Sequence, residues 1–331
     1  MPRPATRRRV LAAAIAGVAL LGACTGNADD GTDGTDGSGA SATPAVAPDA
    51  ASSTATGVVT AAAAAAMDAS ATGGAARAKV FTGAALQSAN AYAKTLPGRT
   101  AAEKAEAELA TTGVKVLAVS RAGDAPPQIL AQTTLKKTGA AVLVLLVGDA
   151  GTFKVAAVTP MLPDAKLDAL DPTSDGSAAV ADAKGLAATP DEVVAAFAAS
   201  VRFPKPTTSK LLAADPLSEQ LRASATAQSK ALNNQGAFTQ EHQPRGVLGG
   251  LRLKDGAGAI VFARLVRSDA IAMRTPVRLT PAKDLTLLTG IRTITTEADL
   301  TSNEIIAFVI PASGQARVVA ASDQLVAGSG R

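Results

Sequence analysis

The stretch Ala140-Ala141-Val142-Leu143-Val144-Leu145-Leu146-Val147 contains no polar side chain, and turn-forming residues bound it at Thr138-Gly139 and Asp149-Ala150-Gly151. An apolar run of this length between two turns is typical of a strand that is buried on both faces. Further strand-like runs lie on either side of it, over residues 114–120, 129–135 and 153–158. The pattern predicts an antiparallel meander of four strands in which residues 140–147 form an interior strand.

Helix signals precede these strands. The Ala-rich run 59–71 favours a helix by propensity, and a second helix is expected over residues 82–93. A capping box, Thr100-Ala101-Ala102-Glu103, predicts the start of a third helix. Helices followed by an antiparallel sheet are typical of the α+β class rather than of a doubly wound parallel sheet.

The same order recurs in the second half of the chain. Thr189-Pro190-Asp191-Glu192 and Asp215-Pro216-Leu217-Ser218 each predict a helix start. Strand-like runs follow at 238–243, 247–253, 259–267, 285–296, 304–310 and 317–321, with hairpin turns at 254–256 and 313–314. We therefore expect two similar α+β lobes, residues 58–170 and 189–331, joined by a polar linker over 171–188. In element order alone, each lobe resembles the NTF2-like and cystatin-like domains, in which a sheet curls around a helix.

The N-terminus has the layout of an export signal, and residues 1–23 are predicted to be a lipoprotein signal peptide. A basic start containing Arg7-Arg8-Arg9 precedes an apolar run over 10–21, which is shorter than the ~20 residues that span a bilayer. The basic start also resembles a twin-arginine signal, although Ala12 stands where that signal has Lys. The export route stays open between the general secretory and twin-arginine pathways.

The signal ends in Leu21-Gly22-Ala23-Cys24, which resembles the bacterial lipobox. In lipobox proteins the signal is cleaved before the cysteine, whose thiol takes a diacylglyceryl group. Because Cys24 is the only cysteine of the chain, we expect it to be the lipidated N-terminus, with acyl chains such as palmitate anchoring the protein to the membrane. The alternative is a plain secreted protein in which this cysteine is incidental.

Residues 24–57 are predicted to be a disordered tether rich in Asp, Gly, Ala and Pro. They contain five Asp and no Lys or Arg, and they have too little apolar surface to offset the entropy cost of ordering. The formal charge of +4 equals that of the four arginines in the first nine residues. Once the signal is removed, an acidic tether precedes a folded region of 28 basic and 23 acidic residues, whose basic excess lies in residues 201–331.

At whole-chain level the sequence resembles a family of uncharacterised actinobacterial secreted lipoproteins. The matching features are the lipobox, the tether, Asp215-Pro216-Leu217-Ser218-Glu219-Gln220-Leu221 and Ile306-Ala307-Phe308-Val309-Ile310-Pro311. The resemblance covers about residues 64–328. It implies a lipid-anchored extracytoplasmic protein with a two-lobed domain of unknown function, and the family carries no assigned activity.

The composition excludes several kinds of site. One His and one Cys exclude a His-cluster metal site, a CxxC redox centre, structural zinc and a disulfide framework. Aromatic residues make up 2% of the chain, which argues against the stacking surface of a nucleic-acid binder. We expect no cofactor, no metal and no nucleic-acid partner.

The candidates for catalytic or metal-binding residues are few. His242, the only histidine, would have to serve as the base of a Ser-His-Asp site, but no Gly-x-Ser-x-Gly motif supplies a nucleophile. We expect it to lie at a strand end and to face solvent. Residues 171–182 imitate a calcium loop without the closing Glu, so a polar turn is the favoured interpretation. A hydrolase whose carboxylates meet only in space stays open, among Glu241, Glu297, Asp299 and Glu304.

Basic residues are dense along the predicted strands of the second lobe, at Arg245, Arg252, Lys254, Arg264, Arg267, Arg274 and Arg278. Alternation along a strand places Arg252 and Lys254 on one face, and Arg264 and Arg267 on opposite faces unless a bulge intervenes. One interpretation is a surface for anionic lipid or wall polymer. The favoured interpretation is ordinary solvated strand faces with charged edges.

These features predict a lipid-anchored cell-envelope lipoprotein at the outer face of the cytoplasmic membrane. Its role is expected to be non-enzymatic binding of an envelope polymer, a lipid or a membrane protein. Two alternatives stay open: a carrier of an apolar ligand or lipid, and a hydrolase with acidic residues that the sequence does not reveal.

Overall fold

The computed structural model describes residues 43–149 and 151–331, which form an α+β protein with two four-stranded antiparallel sheets. The predicted fold class is confirmed, and so is the order of helices before strands in each half. The predicted signal peptide and the lipobox, Leu21 to Cys24, lie outside the described residues. Within the described part, no helix has the length and apolar character needed to cross a membrane.

The first half begins with four helices: α1 (Pro48–Ala66), α2 (Gly73–Val80), α3 (Gly83–Thr95) and α4 (Ala101–Ala107). The predicted tether is wrong over residues 48–57, because α1 already begins at Pro48. Ala51, Ala55 and Val59 are fully buried one turn apart. Small side chains therefore form the packing face of α1, whereas the prediction of disorder counted only large apolar residues. The predicted capping box of α4 is confirmed, since Thr100 and Glu103 bond each other's backbone N–H groups.

The first sheet contains β1 (Lys115–Val119), β2 (Gln128–Thr134), β3 (Ala141–Asp149) and β4 (Thr152–Pro160) in sequence order. The predicted meander is confirmed, and β3 pairs with β2 on one side and β4 on the other. Because β3 is covered on both faces, its alternate residues enter two different cores: Val144 packs under the helices and Leu145 faces the second sheet.

The second half contains α5 (Pro190–Val201), α6 (Pro216–Leu232), β5 (Gly236–Arg252), β6 (Gly258–Met273), α7 (Lys283–Thr289), β7 (Glu297–Pro311) and β8 (Arg317–Gly330). The predicted strands 238–243 and 247–253 are one strand, β5, whose register shifts between Pro244 and Gly249. The predicted strand 285–296 is wrong. Its first residues form α7, which buries Leu285 and ends at Gly290 with a left-handed φ of 80°, a conformation that glycine adopts without strain.

The two sheets stack face to face and share one core. Leu130 and Leu145 from the first sheet meet Phe262 and Val309 from the second, while helices cover the outer face of each sheet. The molecule is therefore a sandwich of helices, sheet, sheet and helices. The strands of the second sheet have 14 to 17 residues and those of the first 5 to 9, so the second sheet extends beyond the first.

The predicted inter-lobe linker is not a free connection. Ser177 bridges to Ser120 at the edge of β1, and Ala179 then bridges to Leu251 at the edge of β5. A buried contact inside the sandwich ties the sheets together as well, because the Gln128 side-chain oxygen accepts the Gly250 N–H at 2.9 Å. A Cβ at neighbouring Gly249 would lie 2.6 Å from that oxygen, which explains why glycine stands there.

Candidate functional site

A groove of about 500 Å³ opens where the space between the two sheets reaches solvent. Its floor is a row of paired residues on the inner face of the first sheet, Lys115, Gln132 and Leu143 on β1, β2 and β3. Leu143 is fully buried, Gln132 is half-buried and Lys115 is exposed. The row therefore changes from apolar to charged as it approaches the edge strand.

The opposite wall of the groove is the loop of residues 161–170. Its start is held by the Leu162 N–H, which donates to the Val319 carbonyl at 2.9 Å, and its end by the Lys254 N–H, which donates to the Ala169 carbonyl at 2.9 Å. The loop thus crosses from the edge of β8 to the end of β5. It covers the open end of the sandwich with Leu167 and Leu170, which pack against the shared core.

The charges in the groove are unbalanced. Lys115 and Lys166 line it and form no ion pair among the described residues, whereas Asp168, the only lining carboxylate, is paired with Arg317. Arg317 also donates to the Lys166 carbonyl at 2.6 Å, which fixes the loop backbone. The groove therefore combines apolar and polar side chains with two lysines that form no ion pair among the described residues.

A second, larger opening of about 820 Å³ lies between the connection 171–185 and the β5–β6 hairpin. Its charged lining is balanced and largely paired. Arg121 contacts Asp171 at 3.4 Å, and Arg252 contacts Asp182 at 2.9 Å. Lys184 and Asp255 also line it and form no ion pair among the described residues, but their charges cancel, so this opening lacks the net positive charge of the groove.

A cluster of buried polar residues lies on the helix-covered face of the second sheet. His242 Nδ1 lies 2.7 Å from Glu304 Oε2, and His242 Nε2 lies 2.8 Å from Gln240 Nε2. The side chains of His242 and Glu304 are 0% and 4% exposed. The expectation that His242 faces solvent at a strand end is therefore wrong: it lies within β5, on the face that α5 and α6 cover.

Arg267 joins the carboxylates of this cluster. Its guanidinium contacts the buried Asp269 at 3.1 Å and Glu304 at 3.5 Å, and at the edge of the cluster it contacts the more exposed Asp323 at 2.6 Å. Burial by itself lowers the pKa of Arg267, but the charges of Asp323, Asp269 and Glu304 outweigh it, so that the pKa lies above its ordinary value. Burial raises the pKa of Asp269 despite the nearby Arg267, and its Oδ1 is buried without a hydrogen-bond partner among the described residues.

The cluster lies between two apolar patches and joins them. Leu265 and Ile306 on one side pack under α5, while Phe238 and Ile271 on the other side form a patch with α6. Both ring nitrogens of His242 are engaged and its side chain has no solvent exposure. The arrangement can therefore orient strands and charges, but its histidine does not reach a substrate in this conformation.

The other residues singled out in the sequence are not brought together. Glu304 is buried in the cluster, Glu241 pairs with Arg202 on the surface, and Glu297 pairs with Arg331. Within residues 43–149 and 151–331, no three His, Cys, Asp or Glu side chains are placed to hold a metal ion. The ends of the calcium-like segment, Asp171 and Asp182, bind two different arginines.

The basic residues of the second half do not form one continuous surface. Arg252 reaches the carbonyl of Lys184, Arg264 reaches Gln87 on α3, and Arg267 lies in the buried cluster. The prediction that Arg264 and Arg267 occupy opposite faces is confirmed, because Arg264 contacts Gln87 on α3 and Arg267 contacts the carboxylates of the cluster on the other face. The interpretation as a basic lipid-facing surface has no support from this placement.

Sequence reasoning missed the groove, although one signal was present. Gln132 alternates with Leu130 and therefore points inward from a strand with a largely apolar inner face. An inward polar side chain without a partner is a recognised sign of a binding site or of a buried network. Lys166 carries no such signal, because it lies in an irregular loop. Comparison with family models, with curated proteins and with solved structures gave no match to this chain.

Proposed function

We propose that this protein is a lipid-anchored lipoprotein of the cell envelope, held at the outer face of the cytoplasmic membrane, whose folded region binds a ligand or partner without transforming it. The observation that carries the anchoring is the position of Cys24, the sole cysteine, directly after Leu21-Gly22-Ala23 and a basic, apolar leader. Such a cysteine is the acceptor of the diacylglyceryl group in lipoproteins, and several acyl chains hold a protein stably on a membrane.

The start of the folded region fits an N-terminal anchor. Thr43 and Ala45 bond the backbone beside Ser120, since the Ala45 N–H donates to the Ser120 carbonyl and the Ala122 N–H donates to the Thr43 carbonyl, each at 2.7 Å. The chain thus enters the fold at the β1–β2 turn. Residues 25–42, rich in Gly and Asp, separate this entry point from Cys24 and would act as the tether.

Binding fits the described residues better than catalysis. The single histidine has both ring nitrogens engaged in the buried cluster. Glu304 and Asp269 lie close to Arg267, which compensates their charge, and neither lies in one of the two openings. A general acid or base must come within hydrogen-bonding distance of its substrate. Glu304 and Asp269 do not line an opening in which a substrate could bind.

The anchor is tested by metabolic labelling with an acyl chain. We expect the wild-type protein to carry the label and to sediment with membranes, and Cys24→Ala to lose both properties. Gly22→Ala is the matched control, because it leaves the cysteine and a small residue before it in place. Equal labelling of wild type and Cys24→Ala would overturn the lipid anchor.

The absence of catalysis is tested with ester, glycoside and phosphate reporters. We expect the purified protein to turn over none of them above a heat-denatured control. The hydrolase alternative would replace the binding role if the wild-type protein turned over a reporter and if Glu304→Gln or Asp269→Asn abolished this activity. The variant must still unfold cooperatively.

A carrier of an apolar ligand is the second candidate, and the groove beside Leu143 and Leu167 favours it. Its walls continue the shared core of the two sheets, so a bound chain would extend an apolar surface that already exists. Organic extraction of the protein purified from envelopes, followed by mass spectrometry, is the direct measurement. A stoichiometric lipid supports the carrier, and a ligand-free protein after mild extraction contradicts it.

A further inference from the structure

We propose that the groove between the first sheet and loop 161–170 binds a single-chain anionic amphiphile, with its chain against the apolar walls and its head at Lys115 and Lys166. This inference rests on the binding role proposed above and names its ligand class. The three properties that lead to it are the size of the groove, its apolar lining and its two uncompensated lysines.

The apolar lining suits an alkyl chain. Leu117, Leu143, Leu167 and Leu170 face the groove together with Met161, and all belong to or pack against the shared core. The volume of about 500 Å³ falls within the ~300–1,000 Å³ typical of small-molecule sites. An unbranched methionine adapts its shape to an irregular chain, which matches a ligand with many conformations.

The head group follows from the charges at the rim. Lys115 lies on the sheet and Lys166 on the loop, so the groove has one exposed lysine on its floor and one on its opposite wall. Neither forms an ion pair with another described residue, while Asp168 is already bound by Arg317. An anionic head between the lysines would supply the missing negative charge, and charge-assisted hydrogen bonds are the strongest that such a head can form.

Gln132 adds a neutral donor next to the lysines. Among the described residues its side-chain amide contacts only the Met161 sulfur, at 3.9 Å, and a thioether is a weak acceptor. The amide is therefore available to a carboxylate or phosphate oxygen. The balanced opening near Arg121 and Arg252 offers no comparable combination, since its arginines are occupied.

The experiment is calorimetric titration of the full chain carrying Cys24→Ala, which bears no acyl group of its own. The probes are dodecanoate and dodecyl phosphate, both below their micellar concentrations, with dodecanol and dodecyltrimethylammonium as the neutral and cationic controls. We expect the anions to bind about tenfold or more tightly than the controls, which corresponds to about 1.4 kcal/mol or more. The two anions distinguish a fatty-acid head from a phosphate head.

A pair of matched variants locates the site. Lys115→Gln with Lys166→Gln is expected to weaken anion binding about tenfold, and Lys205→Gln with Lys210→Gln, which removes the same charge from an exposed segment, is expected to leave it unchanged. Leu167→Asn is expected to weaken every probe, because it alters the chain-binding wall. Added salt should weaken the anions more than dodecanol.

Three results would overturn the proposal: equal binding of all four probes, equal effects of the two lysine pairs, or no measurable binding of either anion by the folded protein. Thermal unfolding of each variant shows that it is folded. The anchor is judged separately. If acyl labelling does not depend on Cys24 while anion binding still depends on Lys115 and Lys166, the proposed anchor is wrong and the proposed binding site is retained. If labelling depends on Cys24 but anion binding does not depend on the two lysines, only the proposed binding site is wrong.

Discussion

Each sheet has its four strands in sequence order and has one face covered by helices. The two helix-covered faces differ in the kinds of side chain that they carry. In the first sheet that face carries no charged cluster, and Ile129, Val142 and Leu146 pack against the N-terminal helices beside the buried hydroxyl of Thr133. In the second sheet the face is apolar under α5, charged around Arg267, and apolar again beside α6. Strands of 5 to 9 residues span one apolar patch, whereas strands of 14 to 17 residues span two.

The charged cluster in the second sheet occupies the region that lies between its two apolar patches. Joining the two apolar patches into one would need a further set of large apolar side chains, but this chain has few to supply, as alanine dominates its apolar residues and aromatics make up 2%. The cluster fills the region between the patches with residues that satisfy one another. A buried ionic network of this kind specifies alignment more than it adds stability, so we infer that it sets the register of β5 to β8.

The strongest test of this contrast removes the centre of the cluster. Arg267→Ala leaves Glu304, Asp269 and Asp323 without their cation, and breaking a buried pair costs about 3–5 kcal/mol. The surface pair Arg202–Glu241 is the control, because Arg202→Ala is expected to cost about 1 kcal/mol or less. Urea unfolding followed by circular dichroism measures both. Similar losses for the two variants would mean that the cluster behaves as a surface network.

The next largest effect tests whether the two halves are one cooperative unit. Leu145→Ala removes a fully buried side chain from the core between the sheets, and such a truncation costs about 2–5 kcal/mol. We expect amide hydrogen exchange to accelerate in β6 and β7 as well as in β2 and β3. Exposed Val247→Ala is the control. Faster exchange confined to residues 43–160 would show that the halves unfold independently.

The two capping boxes compare the halves at the level of single helices. Thr189→Ala removes the cap of α5, which buries five residues, and is expected to lower the free energy of unfolding by about 1 kcal/mol. Thr100→Ala removes the same motif from α4, which buries none, so global stability should fall less. Replacing each with Ser keeps the hydroxyl and should restore stability. Equal losses of unfolding free energy for Thr189→Ala and Thr100→Ala would contradict the idea that the effect of a cap depends on how much of its helix is buried.

The smallest expected effect concerns pH. Burial raises the pKa of Asp269 in the folded protein, so the folded state binds a proton more readily than the unfolded chain, whose Asp pKa is about 3.9. As pH rises above the pKa of the unfolded chain, the unfolded state loses its proton first, so Asp269 lowers the free energy of unfolding increasingly. Asp269→Asn removes the effect, and its stability relative to wild type should increase from pH 4 to pH 7. Exposed Asp299→Asn, measured by the same denaturation series, should show no such trend; a matching trend would argue against the burial of Asp269.

Local patterns predicted much of the fold. The apolar run of β3 with its flanking turns identified an interior strand, and the boxes at Thr100 and Thr189 located two helix starts. The region of α7 was misread because Leu285, Leu287 and Ile291 suit a strand as well as a short helix. α1 was partly missed because Ala, Ser and Thr also occur in disordered segments, and only the presence of a partner surface makes them pack.

The candidate sites were beyond such patterns. Alternation along β5 does place Gln240 and His242 on one face, but it does not say that α5 and α6 cover that face. Lys115 and Lys166 come together only because the loop after β4 crosses the end of the sandwich. Neither position differs locally from an ordinary surface lysine.

Short-range information was sufficient to predict the fold class, most of the element order and the export signal, because turns, caps and apolar periodicity act within a few residues. The stacking of the sheets, the burial of His242 and the groove beside Lys115 required contacts between residues far apart in the chain. Burial and charge compensation depend on what lies across an interface. For this protein they were decided where the two sheets packed on one another and where the helices covered the second sheet.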